Sequence, residues 1–161
     1  MHLTTRAFPL TVLTAILLGC EAPPPAAPPP AAAAPQFYLA GDSALRGMPF
    51  SEAVLVGNLL IVSGQIGNVP GKLELVPGGI GPESRQALEN IRAILERHGA
   101  SMQDVVKCTI FLADIGEWGA FNAAYREMFS APYPARSALG SSGLVLGART
   151  EVECMAVVPE S

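Results

Sequence analysis

Three side chains in the last quarter of the chain hold most of the chemistry this sequence could perform: Arg136, Glu151 and Glu153. Arg136 follows a Pro134-Ala135 bend, and its guanidinium offers parallel N–H donors that match the two oxygens of a carboxylate. The two glutamates lie in Thr150-Glu151-Val152-Glu153-Cys154-Met155-Ala156-Val157-Val158, a pattern that predicts a strand. Side chains alternate along a strand, so Glu151 and Glu153 share a face with Met155 and Val157, while Val152, Cys154, Ala156 and Val158 share the other. Charges on so apolar a strand need water or a cation, because an unpaired buried carboxylate costs more than the packing returns. Arg136 therefore has two readings. It receives the carboxylate of a ligand, or it closes a salt bridge to Glu151 or Glu153 that seals a subunit interface. Glu153 is read as structural.

The rest of the reactive inventory is sparse. His2 and His98 are the only two histidines, which excludes a multi-histidine metal site and weighs against a catalytic triad. His98 is read as a helix C-terminal residue complementing the dipole. Cys108 and Cys154 fall in expected strands with no histidine nearby. An oxidising compartment would permit a disulfide, but two small buried thiols are expected, since neighbouring regular strands seldom bring sulfurs into bonding geometry. Lys107 should point away from Cys108, across its strand. Gly67, Gly71, Gly78, Gly79 and Gly81 lack the spacing of a phosphate loop and read as turn residues. With 10 Lys and Arg against 14 Asp and Glu, a net charge of −4 and no basic run, nucleic acid is excluded as a partner.

The elements that must position these groups form one compact domain behind an extension, as 161 residues at 50% hydrophobic content suggest. Residues 1–19 read as a signal peptide whose apolar run is too short to span a bilayer. Leu17-Leu18-Gly19-Cys20 resembles the lipobox of bacterial lipoproteins, with Cys20 the lipidated first residue of the mature chain; the alternatives are an ordinary secretory leader or an N-terminal core helix. Two acyl chains on one site suffice for stable anchoring. Residues 20–35 are a Pro/Ala-rich linker, which at about 3.1 Å per residue spans roughly 45 Å. The domain itself is assigned to residues 36–161. Its first stretch, to residue 48, is loop or an edge strand. Val54-Leu55-Val56 and Leu59-Leu60-Ile61-Val62 flank Gly57-Asn58 and predict a hairpin. Residues 82–98 predict a helix with Ala87, Leu88, Ile91, Ile94 and Leu95 on one stripe and Gly99 as its stop. A strand over 105–112 and a second helix near 117–129 follow. On that helix Trp118, Phe121, Ala124, Tyr125 and Met128 read as core, while Asn122 is solvated or lines a pocket.

Strand hairpin, helix, strand, helix, strand describes an α+β layer with two helices on one face of the sheet. Two helices leave the second apolar face uncovered, so a homo-oligomer is expected.

Six segments also resemble a known family: Ser63-Gly64-Gln65-Ile66, Ser84-Arg85-Gln86-Ala87-Leu88-Glu89-Asn90-Ile91, Val106-Lys107-Cys108-Thr109-Ile110-Phe111-Leu112, Phe121-Asn122-Ala123-Ala124-Tyr125, Pro134-Ala135-Arg136-Ser137 and Glu151-Val152-Glu153. In this order they are similar to the Rid (YjgF) family of enamine/imine deaminases. The resemblance implies a homotrimer of chorismate-mutase-like α+β subunits, with active sites at the subunit interfaces and no cofactor. It implies hydrolysis of 2-enamine and 2-imine acids, such as 2-aminoacrylate, to a 2-keto acid and ammonia. Arg136 matches the arginine that clamps the substrate carboxylate, and Glu151 the glutamate that positions the hydrolytic water. Ser63, Gly64 and Asn122 match pocket-lining positions. Phe50 stands where a tyrosine is frequent, Ala138 where a cysteine is frequent, and the loop over 140–148 lacks the common Leu-Pro. With the leader, the resemblance implies an enzyme anchored in the bacterial envelope, on the periplasmic face of a membrane and by preference the outer one. The competing expectation is a non-catalytic ligand-binding or chaperone-like envelope trimer of the same fold. Endoribonuclease activity is disfavoured by the acidic chain and the missing histidines.

Overall fold

Gly57, at φ 62°, turns the chain sharply enough for the two aliphatic runs beside it to pair. The resulting hairpin joins β2 (Ala53–Val56) to β3 (Leu59–Ile66), with Val56 opposite Leu59 and Ala53 opposite Val62. A computed structural model of the chain describes residues 34–41 and 46–160. The expected leader over 1–19, Cys20 and nearly all of the expected linker lie outside the described residues.

The short strand β1 (Gln36–Tyr38) lies antiparallel along β2 as an edge strand, one of the two options its sequence left open. After the hairpin comes α1 (Ile80–Arg97), which begins two residues before the expected Pro82. The reason lies at Gly78 and Gly79, whose φ values of 112° and 76° turn the chain into the helix, so that Glu83 N–H already bonds Gly79 O at 3.0 Å. Pro82 then sits in the first turn, where no N–H is required. Ala87, Leu88, Ile91, Ile94 and Leu95 are buried as the stripe predicts.

Strand β4 (Val105–Leu112) leads into α2 (Trp118–Met128), and α2 crosses over to β5 (Ala135–Gly140), which runs parallel to β4. Strand β5 has no aliphatic run to announce it. The last strand, β6 (Thr150–Val157), inserts between β3 and β4 and pairs antiparallel with both. The sheet order is thus β1-β2-β3-β6-β4-β5. Both helices pack on the face that carries Leu60, Val62, Cys108, Ile110, Val152, Cys154 and Ala156. The opposite face presents Ile61, Thr109, Phe111, Glu151, Glu153 and Met155, each partly buried.

Two expectations are corrected here. Cys108 and Cys154 form a disulfide rather than two thiols. They are directly opposed in the β4–β6 register, and opposed residues of antiparallel strands approach closely enough for their sulfurs to meet; their Cα atoms are 4.1 Å apart. Trp118 is not core, being 48% exposed at the opening of α2, beyond the cover of the sheet. His98 also does more than face the dipole. Its ring stacks on Tyr38 at 4.0 Å and its Nε2 lies 3.0 Å from Oε1 of the buried Glu52, while Arg97 donates to Glu52 Oε2 at 2.9 Å. Glu52 thereby ties the end of α1 to the outer strands.

Candidate active site

Arg136 projects from β5 toward α2. Its register partner is Cys108, which in turn opposes Cys154, so the side chain belongs to the helix-covered face. There the guanidinium lies over the Tyr125 ring, 4.8 Å from its centroid, with Trp118 and Phe121 at 5.8 and 5.9 Å. Aromatic faces hold a cation in place without consuming its N–H donors. No ion pair to Arg136 exists among the described residues, and the salt-bridge reading therefore fails within one chain. The guanidinium borders a cavity of about 360 Å³ with Trp118, Asn122, Tyr125, Tyr133 and Pro134. Asn122 Oδ1 and Tyr125 Oη are both buried there without a hydrogen-bond partner, a costly arrangement unless something else binds them. Burial pushes the Tyr125 phenol up from its usual range and Arg136 works against it, so the hydroxyl stays protonated as a donor. Of the two readings of Asn122, pocket-lining is the one its position supports.

Glu151 is built from the other side of the sheet. In β6 it opposes Phe111 of β4 and Ile66 of β3, alternating with buried Val152. Between Val62 and Gln65 the β3–β6 register slips, which takes Ser63 and Gly64 out of regular pairing. The carboxylate fills the space this leaves. A Cβ on Gly64 would stand 2.1 Å from Glu151 Oε1, so only glycine admits the carboxylate at that point. Ser63 Oγ donates to Ser51 O at 2.6 Å, and Gln65 Nε2 donates to Ser63 O and Gly64 O at 3.1 Å each, fixing the bulge. Burial raises the Glu151 carboxyl above the ordinary carboxylate range, and the like charge of Glu153 adds to the shift. A carboxylate in that state is a better base than one in water.

Arg136 and Glu151 accordingly stand on opposite faces of one sheet. Glu151, Ser63 and Gly64 come together, as do Arg136 and Asn122, and the two groups remain apart within a chain. Phe50 belongs to neither group; it is 48% exposed on a separate cavity of about 560 Å³ with Glu52, Gln65, Asn68, Asn90 and Arg97. Ala138, two residues beyond Arg136 on the same face, packs against the core.

With this geometry in view, residues 42–158 match the family model described as Endoribonuclease L-PSP. The chain belongs to that family. A 2-iminobutanoate/2-iminopropanoate deaminase of Capra hircus is 44% identical over 109 residues, which are 68% of this chain and 80% of the relative. A RutC family protein of Pyrococcus abyssi is 42% identical over 108 residues, 67% of this chain and 85% of the relative. Among solved structures, the YjgF gene product of E. coli aligns with a TM-score of 0.69 at 32% identity, covering 77% of this chain and 99% of that one. The expected YjgF-like α+β fold is thus confirmed.

Within the Endoribonuclease L-PSP fold, sequence reasoning overlooked four contributors to the Arg136 cavity, Trp118, Tyr125, Arg126 and Tyr133. Trp118 and Tyr125 look like core positions because they fall on the apolar stripe of α2. The signal available for Trp118 was its place in the opening turn, where a stripe residue has no sheet beneath it. Tyr133 precedes Pro134-Ala135-Arg136 and could have been found from that adjacency.

Proposed function

We propose that this chain hydrolyses 2-imino acids, and their enamine tautomers such as 2-aminoacrylate, to 2-keto acids and ammonia. The observation that carries the reading is the Arg136 guanidinium, held over Tyr125 with no ion pair among the described residues and beside the unpartnered Asn122 Oδ1. A carboxylate accepts two parallel bonds from that fork. Bound so, the substrate offers its C2 to water. Glu151 takes one proton from the water as the C2–O bond forms and passes it to the imine nitrogen, giving a carbinolamine; it then takes the proton of the C2 hydroxyl and delivers it to the same nitrogen as the C2–N bond breaks, so both water protons leave on ammonia and C2 becomes the ketone. Because Arg136 and Glu151 face opposite sides of one sheet, Glu151 is supplied by a second copy and the working unit is an oligomer, a homotrimer on the family resemblance. The likeness to deaminases at 44% identity supports the chemistry. His98 is engaged with Glu52 and so is not free to act as the acid or base of an RNA-cleaving mechanism.

The domain works in the bacterial envelope, held to the periplasmic face of a membrane by a lipid on Cys20 and the Pro/Ala-rich stalk. The Cys108–Cys154 disulfide supports that placement, since such bonds persist in oxidising compartments.

Ammonia release from freshly generated 2-aminoacrylate tests the proposal. The parent chain should accelerate it, and both Arg136→Lys and Glu151→Gln should lose most of that acceleration while keeping the parent's assembly state. Full activity in both variants would eliminate the mechanism, and no activity in the parent would favour a binding module.

A further inference from the structure

We infer that the preferred substrate is a 2-imino acid with a large apolar side chain, rather than the smallest members of the class; this rests on the deaminase reading of the Arg136 cavity. The polar groups needed to hold the common head of such a molecule are clustered at one end: the Arg136 guanidinium for the carboxylate, and Asn122 Oδ1 as an acceptor for an N–H on C2. Beyond them the lining is Trp118, Tyr125, Tyr133 and Pro134, with Arg126 as the one further charged side chain. Trp118 and Tyr133 each leave about half their surface open, at 48% and 50%, and both line the same cavity as Arg136.

Size and surface agree. A cavity of about 360 Å³ falls in the range of about 300 to 1,000 Å³ that takes drug-sized ligands, so a three-carbon acid on Arg136 would leave much of it filled with water against indole and phenol faces. Exposed aromatic surface beside a buried polar anchor gains most from an apolar group placed upon it. A branched or aromatic substituent on C3 would supply that contact. Trp118 and Tyr133 are thus specificity-determining residues, and they act on the part of the substrate that does not react.

The chain contains a single tryptophan, so its fluorescence reports Trp118 alone. The experiment uses the purified full chain and two pairs of probes: pyruvate against 4-methyl-2-oxopentanoate as product analogues, and imines generated in situ from alanine and leucine by an amino-acid oxidase. The leucine-derived imine should be hydrolysed with kcat/KM at least about tenfold above the alanine-derived one, the scale expected for added methylenes in an apolar pocket. The branched keto acid should quench Trp118 at correspondingly lower concentration than pyruvate. Tyr133→Ala, read by fluorescence, and Trp118→Ala, read by calorimetry, should both shrink this ratio severalfold. Equal or reversed preference with both imines hydrolysed would overturn the inference and leave the deaminase reading standing. So would turnover of the small imine with no quenching by either acid, the result expected if a second copy fills the cavity. Absence of both binding and hydrolysis would overturn the deaminase reading and the inference together.

Discussion

At the scale of single residues, Arg136 and Glu151 act on different ends of one small molecule, so their variants should fail differently. Arg136→Lys keeps the charge and loses the fork, and kcat/KM should fall about ten- to a hundredfold, the worth of one charged hydrogen bond. Glu151→Gln keeps size and polarity and removes the base; kcat should fall about 10²- to 10⁴-fold, while a 2-keto acid still binds with near-parental affinity in calorimetry. The pH dependence has a definite sign. Burial and the negative charge of Glu153 both raise the Glu151 carboxyl, so the acid limb of kcat/KM should lie above the ordinary glutamate value of about 4.3. Glu153→Gln removes the repulsion, and the limb should move to lower pH; a limb that stays put or rises would show that Glu151 is not the group titrating. Gly64→Ala isolates a third effect. Its new methyl meets only the mobile end of Glu151, so the domain should retain its Tm within a few degrees while activity drops with the displaced carboxylate.

Among the elements, the loop after β3 and the start of α1 approach closely. A Cβ on Gly67 would stand 2.6 Å from Glu83 Cα and 2.7 Å from Glu83 O. These are backbone atoms of a buried helix start and cannot step aside. Gly67→Ala should therefore destabilise the domain by about 1–3 kcal/mol, visible as a lower denaturation midpoint, in contrast to the near-neutral Gly64→Ala. The other constraint is the bond between β4 and β6. Cys108 and Cys154 are separated by 46 residues, and closing a loop of that length stabilises by about 4 kcal/mol on the chain-entropy model. The double Cys→Ala variant should unfold more than about 10 °C below the parent; an unchanged Tm would mean that the bond does not form in the native protein. Much of this framework was legible in the sequence. The hairpin, β4, β6 and both helices carry strong periodicity, and Arg136 and Glu151 stand out as charges set among apolar neighbours. Strand β5 was not legible, because Ala-Arg-Ser-Ala-Leu-Gly has neither alternation nor an aliphatic run and is fixed only by pairing with β4. The disulfide was missed for a related reason. Opposition of Cys108 and Cys154 depends on the register of two strands distant in sequence, which periodicity within each strand does not contain.

For the whole molecule, the decisive fact is that the two halves of the proposed site face away from each other. A lone chain should be inactive, and sedimentation of the domain from residue 36 onward should show an oligomer at micromolar concentration. Complementation offers a sharper check. Arg136→Ala and Glu151→Gln chains, each inactive alone, should regain activity when refolded together, because some sites then combine an intact Arg136 with an intact Glu151 from different copies. For a cyclic assembly with random mixing, about a quarter of the sites would be restored. No recovery in properly mixed oligomers would confine the chemistry to one chain and defeat the shared-site proposal. The central position of β6 has one more consequence, and it concerns synthesis. Until Thr150–Val157 leaves the ribosome, β1-β2-β3 and β4-β5 share no backbone pairing. Of the six strands the last one translated is the seam of the sheet, so the nascent sheet stays open until synthesis is nearly finished, and a stop codon between β5 and β6 would yield two sheet fragments without the strand that pairs them.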